Sequence, residues 1–230
     1  MPFADGVEVV GVDGDDTLWR CQDGFDAAEV EVARLLAPYA PVTDVMDALA
    51  RTERTNLGTY GFGVKAWTLN VLETCERLGA VGLAPQVLAL GKALLTGPVE
   101  VLEGAADAVV ALGRTHRVVL VTKGDLVDQQ RKLAASGLAG CFDHVQIVSD
   151  KTVEQYGELV AFLGVAPEGF LMVGNSEHSD VRPVLRLGGW AVHVPYRTEW
   201  VLERVDEPVE HERLVRVSSL SQVPELLSAS

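Results

Sequence analysis

Asp13, Asp15 and Asp16 crowd into the run Val12-Asp13-Gly14-Asp15-Asp16-Thr17. Carboxylates this close repel one another, so the loop is costly unless a cation or a catalytic task offsets the repulsion. A hard ion that takes oxygen ligands, magnesium above all, is the natural counter-charge. The competing explanation is a plain turn, since Asp-Gly is a good turn dipeptide.

Other loops carry complementary groups. Thr122 supplies a hydroxyl, and the backbone N–H groups around Lys123 and Gly124 can form an anion-binding nest at a helix start. Lys151 adds a point cation, and Asn175 and Asp180 add oxygen ligands. Each has an ordinary explanation alone: a strand-end Thr, a solvated Lys, a surface Asp. Together they make an anion clamp, a cation clamp and a metal-ligand set.

The elements that must hold them read as strands followed by polar loops. Val7–Val12 leads into Asp13, Arg117–Val121 into Thr122-Lys123-Gly124-Asp125, and Val145–Val148 into Ser149-Asp150-Lys151. Phe170–Val173 meets Gly174-Asn175-Ser176, and Trp190–Val194 meets Pro195. Helical periodicity fills the gaps at Ala105–Leu112, Leu126–Ala135, Val153–Leu163 and Ser179–Leu187, and the tail predicts a short strand at Leu214–Val217 and a helix from Ser221. Alternation of this kind predicts an α/β fold, a parallel sheet with helices on both faces and ligands beyond the carboxyl ends of its strands.

From Trp19 to about Gly97 the rhythm breaks into successive amphipathic helices, Phe25–Tyr39, Val45–Thr55, Val64–Leu78 and Pro85–Leu95. This stretch reads as a helical insert, expected to act as a lid over the Asp13 loop, with a purely structural helical layer as its alternative. Within it, Asn56–Gly63 is glycine-rich and flanked by Arg51, Arg54 and Lys65; a helix–helix connection with solvated charges is the favoured reading, a substrate contact the other. Trp19 and Trp67 are expected to pack rather than to form a substrate platform.

Composition narrows the partners. With 48% hydrophobic and 23% charged residues over 230 positions, the chain can bury a sizeable core. Its net charge of -14 argues against nucleic acid, whose affinity is supplied by clustered Lys and Arg. Cys21, Cys75 and Cys141 show neither disulfide nor zinc spacing. Asp5 and Glu8 stand where a secretion signal would be basic, and no apolar run approaches a membrane span, so a cytoplasmic protein is expected.

Asp13-x-Asp15-x-Thr17, Thr122, Lys151 and Gly174-Asn175-Ser176 through Asp180 resemble, in order, the four motifs of the haloacid dehalogenase (HAD) superfamily. The resemblance implies a Rossmann-like core over residues 1–18 and 98–230 and a helical cap over 19–97. It implies a magnesium-dependent phosphatase acting on a small phosphorylated metabolite through an aspartyl-phosphate. Asp13 would be the nucleophile and Asp15 the acid and then the base; Thr122, the Lys123 N–H and Lys151 would hold phosphate. The implied metal ligands are Asp13, the Asp15 carbonyl, Asn175 and Asp180. Asn175 stands where the superfamily usually has an acidic residue, which leaves open whether Asn175 or Asp180 binds the ion directly. Phosphomutase, dehalogenase and non-catalytic binding module remain the alternatives; Asp15 weighs against dehalogenation, because the namesake dehalogenases lack the second aspartate and need no metal.

Overall fold

Alternate side chains of a strand face opposite ways, and here both sets are apolar, the mark of a parallel sheet covered on both faces. The computed structural model describes residues 3–205 and 207–228. Its strands are β1 (Val9–Val12), β2 (Arg117–Lys123), β3 (His144–Val148), β4 (Phe170–Gly174), β5 (Trp190–His193) and β6 (Leu214–Arg216). They form one sheet in the order β3-β2-β1-β4-β5-β6, every neighbouring pair parallel.

The chain divides into two compact units, Cys21–Pro98 and the remainder. The first contains α1 (Gln22–Leu36), α2 (Val42–Tyr60), α3 (Val64–Arg77) and α4 (Ala84–Thr96). Its own core gathers Val32, Leu36, Val45, Leu49, Trp67 and Val71. Trp67 is buried there edge-on to Phe25, a packing residue, while Arg51, Arg54 and Lys65 are exposed. The glycine-rich segment is not the connection expected: α2 runs on through Gly58 to Tyr60, and only Gly61-Phe62-Gly63 links it to α3. Tyr60 Oη and Asn56 Nδ2 donate to Glu73 of α3, and those bonds hold the last turns of α2 in place.

The second unit adds α5 (Ala105–Leu112), α6 (Leu126–Ser136), α7 (Val153–Leu163), α8 (Arg182–Leu187) and α9 (Val223–Ser228). Val10, Val12, Val118, Leu120, Leu171 and Val173 face α5, α9 and Leu133 of α6. The alternate residues Val9, Val119, Val121, Phe170 and Met172 face Tyr156, Leu159, Val160 and Leu163 of α7 and Val184 of α8. Each fully buried aliphatic side chain contributes roughly 1.5–3 kcal/mol. Register keeps the strand ends level, Val12 lying beside Leu120 and Val173, so their trailing loops open on one edge.

Trp19, expected within the insert, belongs to this second unit. It is buried in the sheet's core and pairs with Val101, while Arg20 N–H donates to Glu100 O and Leu102 N–H to Leu18 O. The segments by which the chain leaves and re-enters the core are thus joined to each other. Among the described residues, no helix is long and apolar enough to cross a membrane, and none of the three cysteines is in a disulfide.

Candidate active site

The first loop is wound tightly on itself. Leu18 N–H donates to Gly14 O, Asp16 N–H to Trp19 O, and Asp16 takes the left-handed conformation, φ 61°. Glycine is needed at 14: a Cβ there would lie 2.8 Å from the Trp19 ring and 3.2 Å from Thr122 Oγ1. This closeness brings the first loop against the end of β2 and directs Asp13 and Asp15 to different partners.

Asp13 is buried in a triad. Lys151 Nζ donates to Asp13 Oδ1 at 2.5 Å and to Asp180 Oδ1 at 2.6 Å, and Thr17 Oγ1 donates to Asp13 Oδ2 at 3.1 Å. Lys151 arrives from the loop after β3. Asp180 arrives through a wide π turn, Glu177–Val181, rather than the regular helix predicted from Ser179. Gly174 makes room for it, since a Cβ there would fall 2.1 Å from Asp180 Oδ2. Two carboxylates share one ammonium. Burial, only partly offset by Lys151 and reinforced by Asp180 and Asp15, pushes Asp13 up to about 7. Burial would lower Lys151, but Asp13 and Asp180 outweigh it and hold the ammonium above its ordinary range.

Asp15 is committed elsewhere. Lys132 Nζ contacts both its oxygens, at 2.9 and 3.0 Å, Gln129 Nε2 donates to Oδ2 at 2.8 Å, and Trp19 Nε1 donates to Oδ1 at 2.7 Å. Burial pushes the Asp15 carboxyl up; Lys132, Gln129 and Trp19 more than cancel this and keep it below the ordinary value.

The Asn175 amide lies 3.2 Å from Asp13 Oδ2 and 3.1 Å from the Asp15 carbonyl oxygen. Turned nitrogen-first, it donates to both. Turned oxygen-first, it leaves three acceptors facing one another, an arrangement a hard cation relieves. The Asp13 carboxylate, Asp15 carbonyl and Asn175 amide therefore fit a magnesium ion. Asp180 is engaged otherwise, its Oδ1 by Lys151 and its Oδ2 by Ser176 N–H at 3.0 Å.

Thr122 and Lys123 belong to β2 itself, not to the loop beyond it. The Gly124 N–H donates to Val148 O at 3.1 Å, which removes it from the expected anion nest. The Lys123 ammonium is bound by Glu203 and Ser179 Oγ. Glu203 also accepts from Ser176 Oγ and Ser179 Oγ. Burial opposes its charge, but Lys123 and the two serines bring its carboxyl down to about 2.

Gln129, Lys132 and Glu203 escape a reading of the sequence. The first two lie on the buried face of α6, and Glu203 lies outside any regular element. A polar triplet at helical spacing, Asp128, Gln129 and Lys132, is the one available signal.

No protein-family model and no curated protein matches the sequence. Solved structures do match. A haloacid dehalogenase-like family hydrolase from Xanthomonas campestris is 36% identical, with a TM-score of 0.86 over 100% of this chain and 95% of its own. An L-2-haloacid dehalogenase from Xanthobacter autotrophicus, carrying covalently bound chloropropionic acid, is 17% identical with a TM-score of 0.69, over 96% of this chain and 98% of its own. The HAD-hydrolase YfnB from Bacillus subtilis, bound to magnesium, is 17% identical with a TM-score of 0.64 over the same shares, 96% and 98%. The two lower identities speak for the fold alone. The first covers the whole chain, and on it the chain belongs to the haloacid dehalogenase-like family of hydrolases.

Proposed function

We propose that the protein is a phosphomonoester hydrolase that uses Asp13 as its nucleophile, with magnesium, on a small phosphorylated metabolite. One observation carries the reading: a buried carboxylate faces a lysine, a second carboxylate follows two residues on, and the Asn175 amide lies against both Asp13 Oδ2 and the Asp15 carbonyl oxygen. Asp13, the Asp15 carbonyl and Asn175 would hold the ion, with Asp180 acting through Lys151. A magnesium ion bound there supplies positive charge that lets two anions meet and polarises a phosphoryl oxygen.

Asp13 attacks phosphorus, and the ester P–O bond breaks as Asp15 passes a proton to the leaving oxygen. Lys151 stabilises the charge that accumulates, and Thr122 with the Lys123 N–H orients phosphoryl oxygens. Asp15 then takes a proton from water, whose oxygen attacks phosphorus; the acyl phosphate bond breaks and Asp13 is restored. The donors around Asp15 support the second role most directly, because they favour its ionised form.

A panel of phosphate esters, with and without magnesium, tests this. Phosphate release that depends on the metal and vanishes in Asp13→Asn is expected; no release from any ester refutes it. A second reading rests on the nitrogen-first amide of Asn175, which satisfies Asp13 with no cation. The same carboxylate then displaces halide from a 2-haloacid, and metal-independent halide release would favour it.

A further inference from the structure

The buried face of α6 is polar. Asp128 is 4% exposed, Gln129 3% and Lys132 8%, whereas Leu126 and Val127 on the same helix are 55% and 65% exposed. Packing does not account for this choice, since a buried ion pair gains little over apolar residues of similar size. Lys132 contacts the carboxylates of Asp15 and Asp128, and Gln129 donates to Asp15.

We propose that Lys132, assisted by Gln129, is the positioning residue for Asp15, holding its carboxylate in one orientation for activation of the water that releases phosphate. The inference rests on the phosphatase reading above. Each Asp15 oxygen receives two donors, Oδ1 from Trp19 and Lys132 and Oδ2 from Gln129 and Lys132, so rotation of the carboxylate breaks several bonds at once. Lys132 is itself braced: Asp128 lies 3.5 Å from its Nζ, and Asp128 is held by Arg131 at 2.9 Å and by its own N–H on Asp125 Oδ1. The chain of contacts runs from the helix cap to the carboxylate. It fixes a direction in the way an effective base requires, since a small misplacement of a catalytic group is costly in rate.

Lys132→Met keeps most of the side chain's apolar stem and removes its charge. With p-nitrophenyl phosphate and magnesium, nitrophenolate departs without needing a proton, so formation of the phosphoenzyme should stay within about threefold of wild type while its hydrolysis falls at least ~tenfold. The readout is a pre-steady-state burst approaching one nitrophenolate per enzyme, with kcat and KM falling together; Lys132→Arg should restore part of the hydrolysis rate. A purely structural lysine would instead lower the burst and the steady rate together, in step with folded fraction measured by circular dichroism, and that result overturns the proposal. Unchanged kinetics overturn it too. Should Lys132→Met fail to fold, Gln129→Leu carries the same comparison, with an expected loss of about threefold in hydrolysis. A wild-type enzyme with no turnover of any phosphate ester refutes the phosphatase reading itself, an outcome distinct from an active wild type indifferent to Lys132.

Discussion

Helices α6 and α7 are built to the same plan and used for opposite purposes. Each has 11 residues and follows a strand of the same sheet. Each opens on a side-chain cap, Asp125 accepting from Asp128 N–H and Thr152 from Gln155 N–H, and each closes on a left-handed glycine, Gly137 or Gly164. Yet α7 buries Tyr156, Leu159, Val160 and Leu163, whereas α6 buries Asp128, Gln129 and Lys132 with Leu133 alone among its apolar residues. Caps and length decide that a helix forms; the buried face decides what it is for. Helix α7 stabilises the sheet, and α6 supplies donors to a carboxylate.

The division breaks most sharply at Lys151, which enters from the α7 side but serves the site. Lys151→Met leaves Asp13 and Asp180 buried with no counter-charge, and removing one partner of such a group costs about 3–5 kcal/mol. Chemical denaturation should show that loss near neutral pH, together with disappearance of hydrolytic activity. The deficit should shrink as pH falls, because protonating either carboxylate relieves the repulsion. A variant as stable as wild type at neutral pH would mean that the triad is not ionised.

Leu159→Ala tests the α7 half alone. It truncates a buried side chain of the cluster that also holds Val119, Phe170 and Met172, and should cost about 3 kcal/mol in denaturant unfolding. Turnover per folded molecule should be unchanged. A rate loss exceeding the loss of folded protein would show that α7 also positions the site.

The contrast between the helices also marks how far the sequence could be read. Runs of Val, Leu and Met buried on both faces announce parallel strands, and those strands match within two residues at their ends because their pattern has no competing explanation. Asp13, Thr17, Lys151, Asn175 and Asp180 were legible as a group because each follows a strand, and the register brings those ends together. Lys132 was not. On α6 the apolar pair Leu126 and Val127 looks like core while the polar residues look like surface, and the structure inverts both. The continuation of α2 through Asn56–Tyr60 was missed for a related reason: its support comes from Glu73 on another helix, which local propensity cannot register.

Glu203 offers a third kind of comparison, a site-facing group held by no regular element. Its folded pKa of about 2 lies below the ordinary 4.5, so its stabilisation is complete above 4.5 and is lost as pH falls from there toward 2. Allowing for partial solvent screening, that contribution is about 2 kcal/mol. Wild type should exceed Glu203→Gln by this amount at pH 6 in urea unfolding, and the two curves should converge near pH 2. A constant difference across that range would place the effect in packing rather than in the Lys123 ion pair.

The smallest effect is the most direct check on the inverted helix. Leu126→Ala and Val127→Thr remove apolar groups at exposures of 55% and 65%, and neither residue belongs to either core cluster flanking the sheet. Each should change unfolding free energy by less than about 0.5 kcal/mol, against several-fold more for the same chemistry at Leu159. The argument is one of area: an exposed side chain loses little water on folding, so its deletion forfeits little. If Leu126→Ala instead costs as much as Leu159→Ala, its side chain is covered in solution, and α6 buries an apolar face after all.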